Sequence, residues 1–353
     1  MAAEVTGHKQ KAAWLERVLP PVEQVQPGLW SIPVEIPIAP LRYVLVYVLE
    51  LDDGIAIIDS GWNDTKSYET LVNGLAVGGY QLSDIKDVLI THVHPDHFGL
   101  ARRVREETGA RITLHRAEAA TLMTHADDAK NWTAEGFSAM LSDGVPEDEA
   151  REFSPTGREF RSLVSDEPID ILIEDGHQLD LPGWNLEGIW TPGHTPGHMC
   201  FLDAERKVMF TGDHVLPRIT PNISVHSNNP PDSLAKYIDS LTKVGDISLK
   251  VDNCEGLPGH EYRFAGIKER TVELVEHHEE RLEEVRELVK SRPGITAYDL
   301  AAELTWSRSW ESFGPQQRRS ALGEAVAHVE LLHQRGVVTM EGYGIRRWRI
   351  AEA

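Results

Sequence analysis

The segment Thr91-His92-Val93-His94-Pro95-Asp96-His97-Phe98-Gly99 places three histidines and one aspartate within six residues. It follows directly on the apolar stretch Val88-Leu89-Ile90. Imidazole nitrogens and a carboxylate are suitable ligands for Zn²⁺, Fe or Mn. Side chains on an extended chain alternate between its two sides, so His92 and His94 can point the same way. Asp96 and His97, on the turn into a following helix, can face a second metal nearby. Three later turns repeat the same grammar of apolar strand, glycine and ligand. They are Trp190-Thr191-Pro192-Gly193-His194-Thr195-Pro196-Gly197-His198, Phe210-Thr211-Gly212-Asp213-His214 and Leu257-Pro258-Gly259-His260-Glu261. Glycine lets the backbone turn sharply, so that the ligand projects from the end of a sheet. His198 and His214, beside the ligands, are expected to hydrogen-bond to the site without ligating.

Strands must deliver these turns. Runs rich in β-branched and aromatic residues predict them at 29–32, 42–49, 55–58, 86–91, 111–114, 169–173, 186–190, 199–202 and 208–211. Helices fit 65–76, 99–108 and 233–244. Residues 117–165 break the strand rhythm with helical periodicity, which predicts a helical insertion of about three helices serving as a lid over a pocket. A long charged helix is expected over 267–290, with His277 and His278 as solvated surface or interdomain contacts. Helices at 297–304 and 316–335 and a hairpin then complete the order of a winged-helix-like module. The expected domains are an N-terminal segment 1–27, a catalytic domain 28–265 and a C-terminal domain 266–353.

The order His-x-His-x-Asp-His, Gly-His-Thr-Pro-Gly-His, Gly-Asp, Pro-Gly-His resembles the metallo-β-lactamase superfamily, most of all its glyoxalase II-like hydrolase branch. The resemblance covers about residues 28–265, and the C-terminal module is similar to that of relatives with the same two-part layout. It implies an α/β fold, a four-layer αββα sandwich with the site along one edge. It implies that His92, His94 and His194 hold one metal, that Asp96, His97 and His260 hold a second, and that Asp213 bridges the two. Asp59, in Asp59-Ser60-Gly61, matches a structural position of the family. The implied cofactors are two divalent ions per chain, zinc first, with iron or manganese as alternatives. The implied reaction is attack by a metal-bridging hydroxide on the carbonyl of a small thioester, lactone or ester, with Asp96 and Asp213 as the catalytic carboxylates. His226, Arg218, Asn222 and Tyr262 follow the ligand turns and are candidates for substrate contact.

Charge narrows the choice. The 353 residues carry 35 Lys+Arg against 56 Asp+Glu, a net of −21. Residues 266–353 account for 13 against 15, or −2, which leaves −19 on the remainder. A metal-dependent endoribonuclease of the same fold is the alternative reading, but a channel for a polyanion should be basic. No nucleic-acid partner is therefore expected, although Arg346-Arg347-Trp348-Arg349 is locally basic. Two cysteines, Cys200 and Cys254, make no disulfide framework and suit a reducing compartment. Residues 1–20 lack the apolar core of a secretory signal, and no run is long enough to span a bilayer. A cytoplasmic protein acting on a small molecule, with no membrane association and a possible homodimer, is the expectation.

Overall fold

The computed structural model describes residues 3–38, 41–127, 129–153, 169–225 and 229–352, with the backbone alone over 123–127 and 129–133. One sheet consists of β2 (Glu23–Gln26), β3 (Leu29–Glu35), β4 (Tyr43–Leu51), β5 (Gly54–Ile58), β6 (Ile85–Leu89), β7 (Arg111–His115) and β8 (Ile171–Ile173), side by side in that order. The other runs β1 (Glu4–Val5), β14 (Phe264–Ala265), β13 (Glu255–Pro258), β12 (Val208–Gly212), β11 (Met199–Asp203), β10 (Leu186–Trp190) and β9 (His177–Gln178).

Alternation along β4 shows how the layers form. Tyr43, Leu45, Tyr47 and Leu49 point inward and meet Met199, Phe201, Phe210 and Leu257 of the facing sheet. Val44, Val46 and Val48 point outward and meet Leu71 and Leu75 of α2 (Thr65–Val77), Phe98 of α3 (Pro95–Phe98) and Val104 of α4 (Ala101–Thr108). A strand buried on both faces reads as a continuous apolar run, which is what Tyr43 to Leu49 is. In the second sheet Cys200 and Met209 face outward, against Leu234, Tyr237 and Leu241 of α8 (Ser233–Ser248). The result is the expected αββα sandwich.

The N-terminal stretch is woven into both sheets. β1 pairs antiparallel with β14, Glu4 opposite Ala265 and Val5 opposite Phe264. In α1 (His8–Glu16), the buried Gln10 donates to Ser31 Oγ and accepts the N–H of Arg263. Two-residue strands carry no periodicity, so nothing in the sequence announces this edge.

After the second sheet come α9 (Ile267–Ser291), α10 (Ala297–Glu303), α11 (Pro315–Gln334) and a hairpin of β15 (Val338–Glu341) and β16 (Arg347–Ile350). Their apolar faces share one cluster with the sandwich: Val244 of α8, Leu274 and Val285 of α9, Val329 of α11 and Trp348 of β16 all belong to it. His278 is buried between helices, its Nδ1 3.1 Å from His328 Nε2, while His277 is half-buried. Within the expected insertion lie α5 (Arg116–Asp127), α6 (Ala129–Ser142) and α7 (Glu147–Phe153); residues 154–165 fall outside the described chain. Met140, Val145, Ala150 and Phe153 pack on Ala297, Leu322 and Val326, so this region is braced against the C-terminal helices.

Candidate metal centre

Strand direction brings the motifs together. β12 and β13 run parallel, and β10 is antiparallel to β11, which is antiparallel to β12. β10, β12 and β13 therefore point the same way, and His194, Asp213 and His260 follow their C-terminal ends. In the first sheet β6 ends at Leu89, the chain bends at Thr91, and beyond the extended His94, Pro95 opens the short helix carrying Asp96 and His97. Two glycines permit the crowding. At Gly193, with φ +142°, a Cβ would lie 2.4 Å from Tyr237 Cβ. At Gly259 a Cβ would lie 2.7 Å from His97 Cε1 and 2.8 Å from Asp213 Oδ1, inside the centre itself.

All seven residues expected as ligands meet. His94 Nδ1 lies 3.0 Å from His92 Nε2 and 3.0 Å from His194 Nε2. Metal–nitrogen bonds of about 2.0–2.1 Å in a tetrahedron put ligand atoms about 3.3 Å apart, so the spacing suits one ion. Beside it, His260 Nε2 lies 3.3 Å from Asp96 Oδ2, and His97 Nε2 lies 3.8 Å from the same oxygen. Asp213 stands between the two sets. Its Oδ2 is 3.7 Å from His194 Nε2 and 3.5 Å from His260 Nε2, and its Oδ1 is 3.5 Å from His97 Nε2.

The remaining ring nitrogens are tied down by surrounding acceptors. His97 Nδ1 donates to Asp59 Oδ2 at 2.7 Å, His260 Nδ1 to the carbonyl of Tyr43 at 2.8 Å, and His194 Nδ1 to the carbonyl of Asn222 at 2.9 Å. His92 Nδ1 lies 3.0 Å from Thr91 Oγ1. Each bond fixes the tautomer and leaves Nε2 with its lone pair aimed inward. Asp59 adopts a left-handed φ of +62° and also accepts the N–H and hydroxyl of Thr91. His198 accepts the N–H of Asp213 on Nε2, the hydrogen-bonding role expected of it. His214 contributes its backbone, whose carbonyl accepts the Tyr237 hydroxyl.

His97 Nε2, His260 Nε2 and Asp213 Oδ1 are among the buried atoms of the described residues that have no hydrogen-bond partner. Such atoms are costly unless something else satisfies them, and these three all face the same small space. The charges agree. Burial, helped by neighbouring imidazoles, holds His92 well below its ordinary pKa and His94 at about 3, so both offer free lone pairs. Burial also pulls on His97 and His260, but Asp213, with Asp96, outweighs it; His97 is held well above its ordinary value and His260 at about 10. Burial pushes Asp96 up, and the charged His97 and His260 outweigh it, leaving about 2. A divalent cation in place of those imidazole protons preserves the charge balance. The donor set fits two such ions.

The candidates for substrate contact are placed less simply. Arg218 pairs with the fully buried Glu261, its Nε and Nη2 both reaching Oε1, at 3.0 and 2.9 Å. Asn222 offers its carbonyl to His194, and its side-chain amide donates to Ser320 O in α11. Tyr262 is buried in the core between the sheets. His226 lies outside the described residues. Sequence reasoning missed Tyr43, Asn222 O and Asn229, whose amide donates to the carbonyls of Gly193 and Ser224. Backbone acceptors leave no residue signature. Glu118, buried in the first turn of α5, was also missed, since a lone glutamate on a helix announces nothing.

The profile of the metallo-beta-lactamase superfamily matches residues 39–251. The lactamase-like protein adaB of Aspergillus niger is 27% identical over 245 residues, 68% of this chain and 57% of that protein, so the match spans little more than half of that relative's length. The hydroxyacylglutathione hydrolase GloC of Haemophilus influenzae is 31% identical over 130 residues, 37% of this chain and 50% of its own. The crystal structure of a metallo-beta-lactamase family protein from Thermus thermophilus superposes with a TM-score of 0.80 at 28% identity, over 93% of this chain and 100% of its own. The profile covers more than half of the chain and leaves one conclusion: this protein belongs to the metallo-beta-lactamase superfamily.

Proposed function

We propose that the protein is a dinuclear metal-dependent hydrolase that cleaves a small ester-type substrate, a thioester, lactone or ester. The observation that carries this reading is the convergence of three imidazole nitrogens within 3.0 Å contacts beside an Asp96–His97–His260 set, with Asp213 reaching both. His92, His94 and His194 hold one ion and Asp96, His97 and His260 the other, zinc in the first instance. Bound divalent ions supply Lewis acidity towards a carbonyl oxygen and towards water.

The chain's own groups do the rest. His92, His97 and His260 are fully buried and form the floor, while the partly exposed His94 marks the side from which substrate enters. Asp96 and Asp213, both nearly buried, accept the hydrogen bonds of the attacking water and fix its line of approach. No thiol competes for the role of nucleophile: burial pushes both Cys200 and Cys254 up to about 12. The relation to a hydroxyacylglutathione hydrolase supports a thioester among the substrates. The chain's net charge of −21 disfavours the endoribonuclease alternative.

The test is elemental analysis of the purified protein together with a panel of thioesters, lactones and nitrophenyl esters. Two ions per chain and turnover of at least one class are expected, and His94→Ala should lose the ion of the three-imidazole position and with it turnover. A protein that binds no divalent metal and leaves the whole panel intact overturns the reading.

A further inference from the structure

Glu118 belongs to none of the ligand groups at the centre, and its side chain is completely buried. Its two oxygens reach different loops. Oε2 accepts the N–H of Val93 at 2.9 Å, and Oε1 accepts the N–H of Gly197 at 2.6 Å. Val93 stands between His92 and His94. Gly197 closes the turn that begins at His194 and precedes His198. A single carboxylate thus ties together the two backbone segments that carry the three-imidazole set. The contact is close. A Cβ at Gly197 would lie 2.7 Å from Glu118 N and 2.8 Å from Glu118 Cγ, so the turn can seat on α5 only without a side chain.

The other metal position has direct braces of its own, Asp59 on His97 and the Tyr43 carbonyl on His260, while Asp59 reaches His92 only through Thr91. A buried carboxylate is tolerated when its oxygens are bonded, but a purely local need could be met within α5. Here the donors come from two loops on different sheets. We propose that Glu118 is the positioning residue of the three-imidazole metal position: it sets the spacing between the His92–His94 segment and the His194 turn, and with it that position's affinity. The proposal rests on the metal-centre reading above and extends it to a residue outside the ligand set.

The bonding makes the conservative variant informative. Glutamine has one acceptor oxygen and one amide NH₂, so Glu118→Gln sets an N–H against the N–H of Val93 or Gly197. It should act like Glu118→Ala and not rescue. The experiment uses the full chain: wild type, Glu118→Gln and Asp59→Asn, each titrated with Zn²⁺ against a chromophoric chelator and with Co²⁺ by visible absorption. In Glu118→Gln one of two ions should bind about 10–100-fold more weakly while the other is unchanged. Asp59→Asn should weaken the opposite ion, and the Co²⁺ spectra of the ions that remain should differ. Amide hydrogen exchange of the metal-free proteins reads the ties directly. Val93 and Gly197 should be protected in the wild type and exchange faster in Glu118→Gln.

Unchanged affinity at both positions in folded Glu118→Gln overturns the proposal, as does unchanged exchange at Val93 and Gly197. Equal weakening of both ions also overturns it, because that is general destabilisation. A wild type that binds no Zn²⁺ strikes the hydrolase reading instead, and exchange still decides whether Glu118 holds the two loops. Should Glu118→Gln fail to fold, Gly197→Ala parts the same turn from α5 while leaving the glutamate itself in place, and the same outcomes apply.

Discussion

His194 Nδ1 donates to the carbonyl of Asn222 at 2.9 Å, and Asn222 is itself held by the C-terminal helix α11, its amide donating to Ser320 O. A proposed metal ligand on one strand end is therefore oriented from a helix more than a hundred residues further along. Val225 N–H donates to Gly323 O at 3.2 Å on the same stretch. A Cβ at Gly323 would sit 2.6 Å from Ser224 Cβ. Gly323→Ala should push the loop off α11 and turn the His194 ring. The expected result is zinc affinity at the three-imidazole position lowered about tenfold, with the other position kept, as read by chelator competition.

Gly259 gives a sharper test at the second position. A methyl group there would press on both His97 and Asp213. Gly259→Ala should reduce metal content from two ions to one or none and remove hydrolysis, while the far-ultraviolet circular dichroism stays that of the wild type. Retention of two ions would show that the ring and carboxylate can yield.

Asp59 carries three acceptor bonds, from Thr91 N, Thr91 Oγ1 and His97 Nδ1, at 2.9, 3.0 and 2.7 Å. Removing them strands buried donors at about 1–3 kcal/mol each. Asp59→Ala should therefore lower the melting temperature of the metal-free protein by several degrees, measured by calorimetry, besides weakening the ion that His97 holds.

Glu324 predicts a pH dependence remote from the centre. Burial pushes its carboxyl up to about 7, and Arg281, 4.0 Å away, only partly opposes this. The folded state thus binds the proton more tightly than the unfolded chain. The associated stability is complete below the ordinary glutamate range and is lost as pH rises through about 7. His328, held at about 4 by burial, works in the opposite sense, losing stability as pH falls below the ordinary histidine value. The difference between Glu324→Gln and wild type isolates the carboxyl. The melting temperatures should be similar near pH 4.5, and the variant's advantage should grow through pH 7 and then level off. A difference that does not vary with pH would refute this.

Much of the molecule was legible because two kinds of signal are strong. Tyr43 to Leu49 and Met199 to Leu202 are buried on both faces and read as unbroken apolar runs. His194, Asp213 and His260 each follow a glycine directly, and His92, His94, Asp96 and His97 crowd into six residues after an apolar strand, where few other demands explain a histidine or aspartate. What was not legible depends on the partner and not on the residue. The carbonyls of Tyr43 and Asn222 orient ligands, and any residue could supply a carbonyl. Arg218 looked like a substrate contact and pairs with Glu261. His278 sits on a highly charged helix, yet that helix is covered on more than one side, and the ring packs against Tyr237 and His328.

The pairing of β1 with β14 bears on how the protein is made. Val5 leaves the ribosome long before its partner Phe264, and Ser320 emerges later still. Native contacts this distant in sequence form slowly. The nascent chain must therefore carry an unfinished sheet edge until Phe264 has emerged, and an unanchored His194 turn until translation has passed α11.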